Sequence, residues 1–170
     1  MPSSVARCEI PPGTLLAGYD RAGIYADCYA TEVEWPVSHA EYVEAFYTTA
    51  LFKVERLILR WLAARPSTDV DAKRLAHAGA ESFAAWKVES RAKDQLLLAD
   101  FRGRTRSWLM VCPSGAGNGG TRLYFGSAVV PRRRAGSEQA TLGWTFTSLL
   151  GFHKLYSRAL LRAARRRLAS

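Results

Sequence analysis

Four strand-length runs joined by short links, between residues 82 and 131, constrain the fold of this chain more than any other feature. The runs are SFAAWKVES, DQLLLADF, RSWLMVCP and TRLYFGSAVVP, each rich in β-branched, aromatic or aliphatic residues. The links RAKD, RGRT and SGAGNGG are too short for a helical crossover between parallel strands. The runs therefore predict an antiparallel meander of four strands.

A fifth strand is predicted nearer the start of the chain, in the run GIYADCYATEVEW. β-Branched and aromatic residues alternate along it, and Pro36 marks its end. Because successive side chains of a strand point to opposite faces, Tyr25, Asp27 and Tyr29 share one face. Whether that face is buried decides which role Asp27 has.

Helical periodicity follows this first strand. Ser38 and Glu41 have the spacing of a capping box, and apolar residues recur every three or four positions as far as Trp61. The β-branched pair Thr48-Thr49 is unfavourable inside a helix. We therefore predict two consecutive short helices with a bend at this pair.

A long amphipathic helix is predicted from Leu142 to Leu168. On a helical projection, the basic residues Lys154, Arg158, Arg162 and Arg165 fall outside one wide apolar arc. Burial of this arc would favour packing of the helix on the sheet. The members of the arc are Phe146, Leu149, Leu150, Phe152, His153, Tyr156, Ala159, Leu160 and Ala164.

These patterns predict an α+β fold in a single domain spanning residues 1–170, with an irregular lead-in over residues 1–20. A chain of 170 residues with 48% hydrophobic content suits one domain with a single core. An antiparallel sheet needs cover on one face, and the C-terminal helix is the only predicted element long enough to supply it.

Positive charge is concentrated near the end of the chain. The net charge is +9, and ten of the 24 Lys and Arg residues follow residue 112, against the single carboxylate Glu138. Such an end attracts phosphates and anionic lipid. A solvated helix face, with cations favoured in the last turn, explains the same pattern without a ligand.

The cysteines and the apolar segments exclude several classes of protein. Cys8, Cys28 and Cys112 are far apart in the sequence and lack metal-binding spacing, so neither a disulfide framework nor a zinc site is predicted. No run approaches the roughly 20 apolar residues that span a bilayer, and no signal peptide is recognised. We expect a reduced, cytoplasmic, bacterial protein with no cofactor and no metal.

Four features of the chain occur together. They are the element order, the strand YADCY ahead of paired helices, the meander FAAWKVESRAKDQLLLADFRGRTRSWLMV and the terminal helix LLGFHKLYSRALLR. In combination they resemble a family of uncharacterised bacterial proteins in the START-like, or SRPBCC, superfamily. The likeness covers residues 24–165, and its most family-like pieces are Asp27 and the Phe152-His153 pair.

The resemblance implies a helix-grip fold, in which a curved antiparallel sheet wraps around the long C-terminal helix and two short helices follow the first strand. It also implies a cavity between sheet and helix. Members of the superfamily bind lipids, sterols or polyketides, or act as aromatases and cyclases. Because many helix-grip sheets have six or seven strands, we expect a further strand in residues 10–23 or 68–81.

Given such a cavity, the aromatic residues of the strands and the last helix have two possible roles. They are either core residues, since large aromatics dominate burial in a domain of this size, or walls of a ligand site. The candidate ligand-binding residues are Tyr25, Tyr29, Trp86, Trp108, Tyr124, Phe152 and Tyr156.

His153 and Asp27 are the candidate catalytic residues. His153 is either a satisfied core residue or a polar group facing the cavity, where an imidazole would suit proton transfer. Asp27 is either exposed at an edge or buried, and a buried carboxyl would need a partner such as His153 or Arg91. The other charged candidates are expected to be solvated at the surface: Arg91, Arg106, His39 and His77.

Three functions remain open from the sequence. The first is binding of a hydrophobic or aromatic small molecule in a cavity between the sheet and the C-terminal helix. The second is a cyclase- or aromatase-like reaction in the same cavity. The third is binding of nucleic acid or an anionic membrane by the basic C-terminal end.

Overall fold

A computed structural model describes residues 4–54, 67–115, 119–130 and 144–170, and in the last range it describes side chains from residue 155 onward. Seven strands and four helices have defined bounds. In chain order they are β1 (Ala6–Arg7), α1 (Ala17–Arg21), β2 (Tyr25–Val33), α2 (His39–Tyr47), α3 (Asp69–Ala76), β3 (Ser82–Phe83), β4 (Trp86–Ala92), β5 (Gln95–Asp100), β6 (Thr105–Pro113), β7 (Thr121–Val129) and α4 (Trp144–Leu168).

The strands form one antiparallel sheet in the order β1-β2-β7-β6-β5-β4-β3. The predicted meander is confirmed as β4 to β7, and its last strand pairs along its whole length with β2. The fold is α+β, with a curved seven-stranded sheet and a C-terminal helix. The run SFAAWKVES divides into β3 and β4 because Ala84 adopts a positive φ of 53° between them.

Both sides of the sheet are buried. The helix-facing side packs against α2, α3, residue Phe52 and α4, and its largest strand residues include Tyr29, Leu109 and Phe125. The reverse side packs against the lead-in and α1, around Leu16 and Trp108. The sequence predicted cover on one side only, by α4. That prediction is incomplete. On the helix-facing side α2 also contributes cover, and its buried residues are Tyr42, Val43, Ala45, Phe46 and Tyr47. The reverse side is covered by the lead-in and α1.

The helices after β2 form as their local signals predict. Ser38 and Glu41 make a complete capping box at the start of α2. The predicted bend is confirmed: α2 ends at Tyr47, and the chain is helical again over residues 50–54. Thr49 ends one helix and begins the other, since its hydroxyl donates to the Phe46 carbonyl and accepts from the Phe52 N–H. The rest of the second predicted helix lies outside the described residues.

The lead-in is more ordered than the sequence predicts. Residues 6 and 7 form β1 at one edge of the sheet, and α1 lies within residues 10–23, where a strand was expected. The second segment proposed for an extra strand, 68–81, instead contains α3, which begins at a capping box of Thr68 and Asp71. The two additional strands are therefore β1 and β3, each only two residues long.

The buried face of α4 is rotated relative to the predicted arc. Leu160 and Ala164 are buried as expected, but Ala159 is exposed and Ser157 and Leu161 are fully buried. The helix packs against α2, β2 and β7 at once. Small polar Ser157 fits this tight contact, which a projection based on hydrophobicity alone does not detect. Phe146, Leu149 and Leu150 belong to the part of α4 whose side chains lie outside the described residues.

Candidate functional site

A cavity of about 210 Å³ lies between the helix-facing side of the sheet and the helices. Its polar lining includes the hydroxyl groups of Thr105, Ser107 and Ser127. The apolar wall is formed by Phe46, Phe52, Trp86, Phe125, Tyr156 and Leu160. A mostly apolar wall with a few polar groups is typical of a site for a small organic molecule.

The polar residues of the site form a row across three strands. Asp27 on β2 pairs with Ser127 on β7, which pairs in turn with Ser107 on β6. Ser127 Oγ donates to Asp27 Oδ1 at 2.6 Å, and Ser107 Oγ lies 3.3 Å from the Tyr47 hydroxyl of α2. The sheet register therefore places three hydrogen-bonding side chains side by side below the aromatic wall.

Asp27 is buried, with only 2% of its surface exposed. Its second oxygen, Oδ2, accepts a hydrogen bond of 3.4 Å from the Tyr25 hydroxyl. Burial, together with the nearby Asp27 carboxyl group, raises the pKa of Tyr25 to about 12. Tyr25 thus stays protonated at neutral pH and keeps its donor role. Of the two positions considered for Asp27, the structure shows the buried one, with Ser127 and Tyr25 as its partners.

Trp86 lines the cavity, and its indole nitrogen is a buried hydrogen-bond donor. Its indole Nε1 is buried and has no hydrogen-bond partner among the described residues. A buried N–H group without a partner costs about 1–3 kcal/mol relative to a satisfied one. An acceptor atom on a molecule in the cavity would remove this cost.

Of the predicted ligand-binding aromatics whose side chains are described, four lie on the helix-facing side of the sheet or on α4. Trp86 and Tyr156 line the cavity, and Tyr25 contacts Asp27 beside it. Tyr29 is buried in the adjoining core, under the guanidinium of Arg158 at 5.7 Å. These positions give the aromatic residues both of the roles considered from the sequence, as core residues and as cavity wall.

Trp108 and Tyr124 lie on the reverse side of the sheet, so the prediction that they line the cavity is wrong. Their ring centroids are 6.1 Å apart, and both belong to the core formed with Leu16. The Trp108 indole N–H is satisfied by Gln95 Oε1 at 3.0 Å. The side chains of Phe152 and His153 lie outside the described residues.

The predicted solvation of Arg91 and Arg106 is wrong. Arg91 donates to the carbonyls of Leu75 and Ala80 at the end of α3. Arg106 pairs with Glu89 at 2.6 Å, and only 13% of the Arg106 side chain is exposed. Neither arginine is among the hydrogen-bond partners of Asp27.

The histidine prediction holds for one residue and fails for the other. His77 is exposed as expected. His39 is half-buried at the start of α2, and its Nε2 is buried without a partner among the described residues. Burial lowers the pKa of His39 below its ordinary value, although a hydrogen bond with the Leu109 backbone opposes this.

The arginines of α4 are not all solvated. The guanidinium of Arg158 lies over the Tyr29 ring, and Arg165 Nη1 donates to Thr31 Oγ1 at 3.3 Å. Arg162, Arg166 and Arg167 are more exposed. The projection placed Arg158 and Arg165 away from the sheet because it scores charge as polar, whereas a guanidinium also packs on aromatic rings.

Several site residues were missed from the sequence. Ser107 and Ser127 interrupt apolar alternation in two central strands, and such a polar position on a buried face was the available signal. Phe46 and Tyr47 entered the sequence analysis only as part of a helical apolar periodicity, and Phe52 was not considered. Their place in the site depends on how the helices pack on the sheet, which no local pattern gives.

The described parts of the chain also bear on metal binding and on membrane insertion. Within them, no three His, Cys, Asp or Glu side chains come together in a metal-binding arrangement. None of the helices in these parts is long and apolar enough to cross a bilayer. No family model, curated protein or solved structure matches the chain at a significant level.

Proposed function

We propose that the protein binds a small hydrophobic or aromatic molecule that carries an acceptor oxygen, in the cavity between the sheet and the helices. The observation that carries this proposal is Trp86, a residue of the mostly apolar cavity wall whose buried indole N–H has no hydrogen-bond partner among the described residues. A ligand oxygen would accept from Trp86 while its apolar part contacts Phe46, Phe125 and Leu160.

The volume of the cavity limits the size of this ligand. An apolar cavity of about 150 Å³ takes up benzene. The 210 Å³ measured here therefore suits a molecule of roughly one or two rings. A sterol or a long acyl chain would need additional space.

A START-like, helix-grip assignment is part of the proposal. Its support is the antiparallel seven-stranded sheet, the two short helical segments after β2 and the contact of α4 with β2 and β7. In such an arrangement, a ligand lies between the C-terminal helix and the sheet, which is where the cavity is found.

A cyclase- or aromatase-like enzyme is the second candidate, and one observation favours it. Asp27 is a buried carboxyl group, hydrogen-bonded to Ser127, which itself lines the cavity. Such a carboxyl can accept or relay a proton in a dry site. No observation on the described residues favours the third candidate, the basic C-terminal end, where Arg158 and Arg165 contact the sheet and Arg162, Arg166 and Arg167 are exposed.

A pair of matched probes tests the binding proposal. Acetophenone and ethylbenzene have similar shapes, but only acetophenone has a carbonyl acceptor. We expect acetophenone to bind about 2- to 10-fold more tightly, as one hydrogen bond would give. Protein-observed NMR titration would measure both affinities.

Variants at two tryptophans, half-buried Trp86 and buried Trp108, localise the effect. Trp86→Phe should abolish the preference for acetophenone, because it removes the donor and keeps a ring. Trp108→Phe is the matched control, since it removes an indole N–H on the reverse side and should leave the preference unchanged. Absence of binding by both probes up to their solubility limits, or loss of the preference in Trp108→Phe, would contradict the proposal.

Native mass spectrometry of the protein purified from its own host would then identify the class of a retained ligand. Asp27→Asn separates binding from catalysis with that ligand, because it keeps the side-chain volume and removes the proton acceptor. A binding protein should keep its affinity within a few fold. An enzyme should lose about 10²- to 10⁴-fold in turnover while still binding.

A further inference from the structure

Two cysteines that are 20 residues apart in the sequence face each other in the sheet. The pairing of Ala6 with Ala30 and of Arg7 with Tyr29 places Cys8 opposite Cys28. The Cys8 N–H donates to the Cys28 carbonyl at 3.0 Å, and the two Sγ atoms lie 3.2 Å apart. Both thiols are free in the structure, and the sequence alone did not predict that the fold brings them together.

The backbone geometry suits a covalent link. Directly opposite residues that share a hydrogen bond in an antiparallel pair have Cα atoms about 5.5 Å apart. This lies within the roughly 4.4–6.8 Å range of disulfides. The sulfur atoms would have to approach by only about 1 Å to reach bonding distance.

The two thiols differ in their access to solvent. Cys28 is fully buried, whereas Cys8 is half-buried. Both contribute to the lining of an open cleft of about 580 Å³, together with Arg7, Glu9 and Asp20. A small polar reagent entering this cleft would therefore reach the Cys8 sulfur first.

The pKa shifts of the two thiols also make Cys8 the more reactive one. The hydrogen bond with Cys28 lowers the pKa of Cys8, and Arg122 lowers it further, while burial opposes both. The hydrogen bond with Cys8, and then burial, raise the pKa of Cys28. Since the thiolate is the reactive form, Cys8 is the better nucleophile of the pair.

We propose that Cys8 and Cys28 form a redox-active pair, which a hydroperoxide converts into a disulfide and a dithiol reductant restores. In the first step, the Cys8 thiolate sulfur attacks a peroxide oxygen. An S–O bond forms, the O–O bond breaks, and the released alkoxide or hydroxide takes a proton from water. Cys8 is thereby oxidised to a sulfenic acid, and the peroxide is reduced to an alcohol or water.

The second step uses the neighbouring thiol. The Cys28 sulfur attacks the Cys8 sulfur, an S–S bond forms and the S–O bond breaks. The departing hydroxide takes the Cys28 proton and leaves as water. A dithiol reverses the reaction by thiol–disulfide exchange, in which its own two thiols become a disulfide. The bond would tie β1 covalently to β2.

The test uses the full chain and hydrogen peroxide as the oxidant. The reduced protein is treated with peroxide, quenched with N-ethylmaleimide in denaturant so that buried Cys28 can also react, and examined by intact-mass and peptide mass spectrometry. The reduced chain should take up three labels, one for each of its cysteines. After oxidation only Cys112 should be labelled, the Cys8 and Cys28 peptides should be linked, and dithiothreitol should restore all three labels.

Single variants define the roles of the cysteines. Cys112→Ser should still form the link, and Cys8→Ser should not. Folded Cys28→Ala should stop at a Cys8 sulfenic acid that dimedone traps. If Cys28→Ala does not fold, Cys8→Ser and the peptide map of the unmodified chain decide the matter. A link that involves Cys112, a link between two chains, or overoxidised Cys8 without any link would overturn the proposal.

Discussion

The two sides of the sheet are both buried, yet they are built for different purposes. The helix-facing side combines a cluster of aromatic rings with a cavity and a row of hydrogen-bonding groups. The reverse side contains Trp108 with its indole N–H satisfied, Gly126 in close contact with its neighbours, and the Cys8–Cys28 pair.

The contrast shows how one set of strands can carry two functions. Because side chains alternate, a buried strand contributes one row to each side, and the rows can be packed independently. On β7, Phe125 and Ser127 line the cavity, while Tyr124 and Gly126 pack against the lead-in side. Changes to the core of the reverse side should therefore affect stability but not binding in the cavity, and changes on the helix-facing side should affect stability and binding.

The largest expected effect comes from removing a ring on each side. Trp108→Ala and Phe46→Ala should each lower the free energy of unfolding by about 3–5 kcal/mol, since both side chains are buried. Urea denaturation would measure this loss. Under conditions where both variants are folded, only Phe46→Ala should weaken acetophenone binding. Equal loss of binding in the two variants would contradict the separation of the sides.

A single added methyl group should disturb the reverse side strongly. A Cβ atom on Gly126 would lie 2.4 Å from Leu16 Cδ2 and 2.9 Å from both Asp27 O and Trp108 Cε3. Leu16 can move, but the backbone oxygen cannot, so Gly126→Ala should cost about 3 kcal/mol. Gly18→Ala is the control, since nothing lies within 4 Å of the added atom. Equal melting temperatures for the two variants would show that the sheet accommodates the methyl group.

A smaller effect is expected from the polar row on the helix-facing side. Ser127→Ala removes the shorter hydrogen bond of the Asp27 carboxyl and leaves the one from Tyr25. The variant should lose about 1–2 kcal/mol of stability in denaturant titrations. In the Ser127→Ala background, Asp27→Asn should lower the free energy of unfolding by less than it does in the unchanged protein, because the two residues interact. Strictly additive losses would show that the hydrogen bond contributes nothing.

The smallest effect concerns His39, whose pKa is lowered by burial. The unfolded chain protonates this residue near pH 6.5, whereas the folded protein resists protonation there. The stability contributed by neutral His39 is thus present above about pH 6.5 and is lost as the pH falls below it. Asp94 and Arg91 act on His39 in opposite directions.

Melting temperatures at pH 7 and pH 5 would measure this effect. The decrease in melting temperature from pH 7 to pH 5 should be smaller for His39→Gln than for the unchanged protein. The control is His77→Gln, because His77 is exposed and should leave the drop unaltered. An identical drop in all three proteins would show that His39 is readily protonated in the folded state.

The elements of this fold were predictable wherever the signal is local. The capping box of Ser38, the break at Thr48-Thr49 and the short links of the meander each act over a few residues. β1 and β3 were not separately predictable. Two residues carry no periodicity, and these strands exist only because β2 and β4 offer partners.

The composition of the site was less predictable than the fold, because it depends on long-range register. Asp27 meets Ser127 across 100 positions of sequence, and a shift of one residue would turn either side chain to the reverse side. Trp86 and Trp108 appear equivalent as aromatic residues in two runs of the same meander. They face opposite sides of the sheet. In addition, an irregularity in the pairing between Val88 and Ser90 interrupts the regular alternation of side chains along β4.

The brevity of the edge strands affects how the protein behaves in concentrated solution. β1 and β3 close the two edges of the sheet with two residues each, too few to template a strand from another molecule. Behind β1 lies the nine-residue strand β2, whose outer edge β1 interrupts near its centre, at Tyr29 and Ala30, and that edge would be continuous if β1 detached. We therefore expect colloidal stability to depend on a short segment far from the cavity, so that loss of residues 4–8 would promote intermolecular sheet growth.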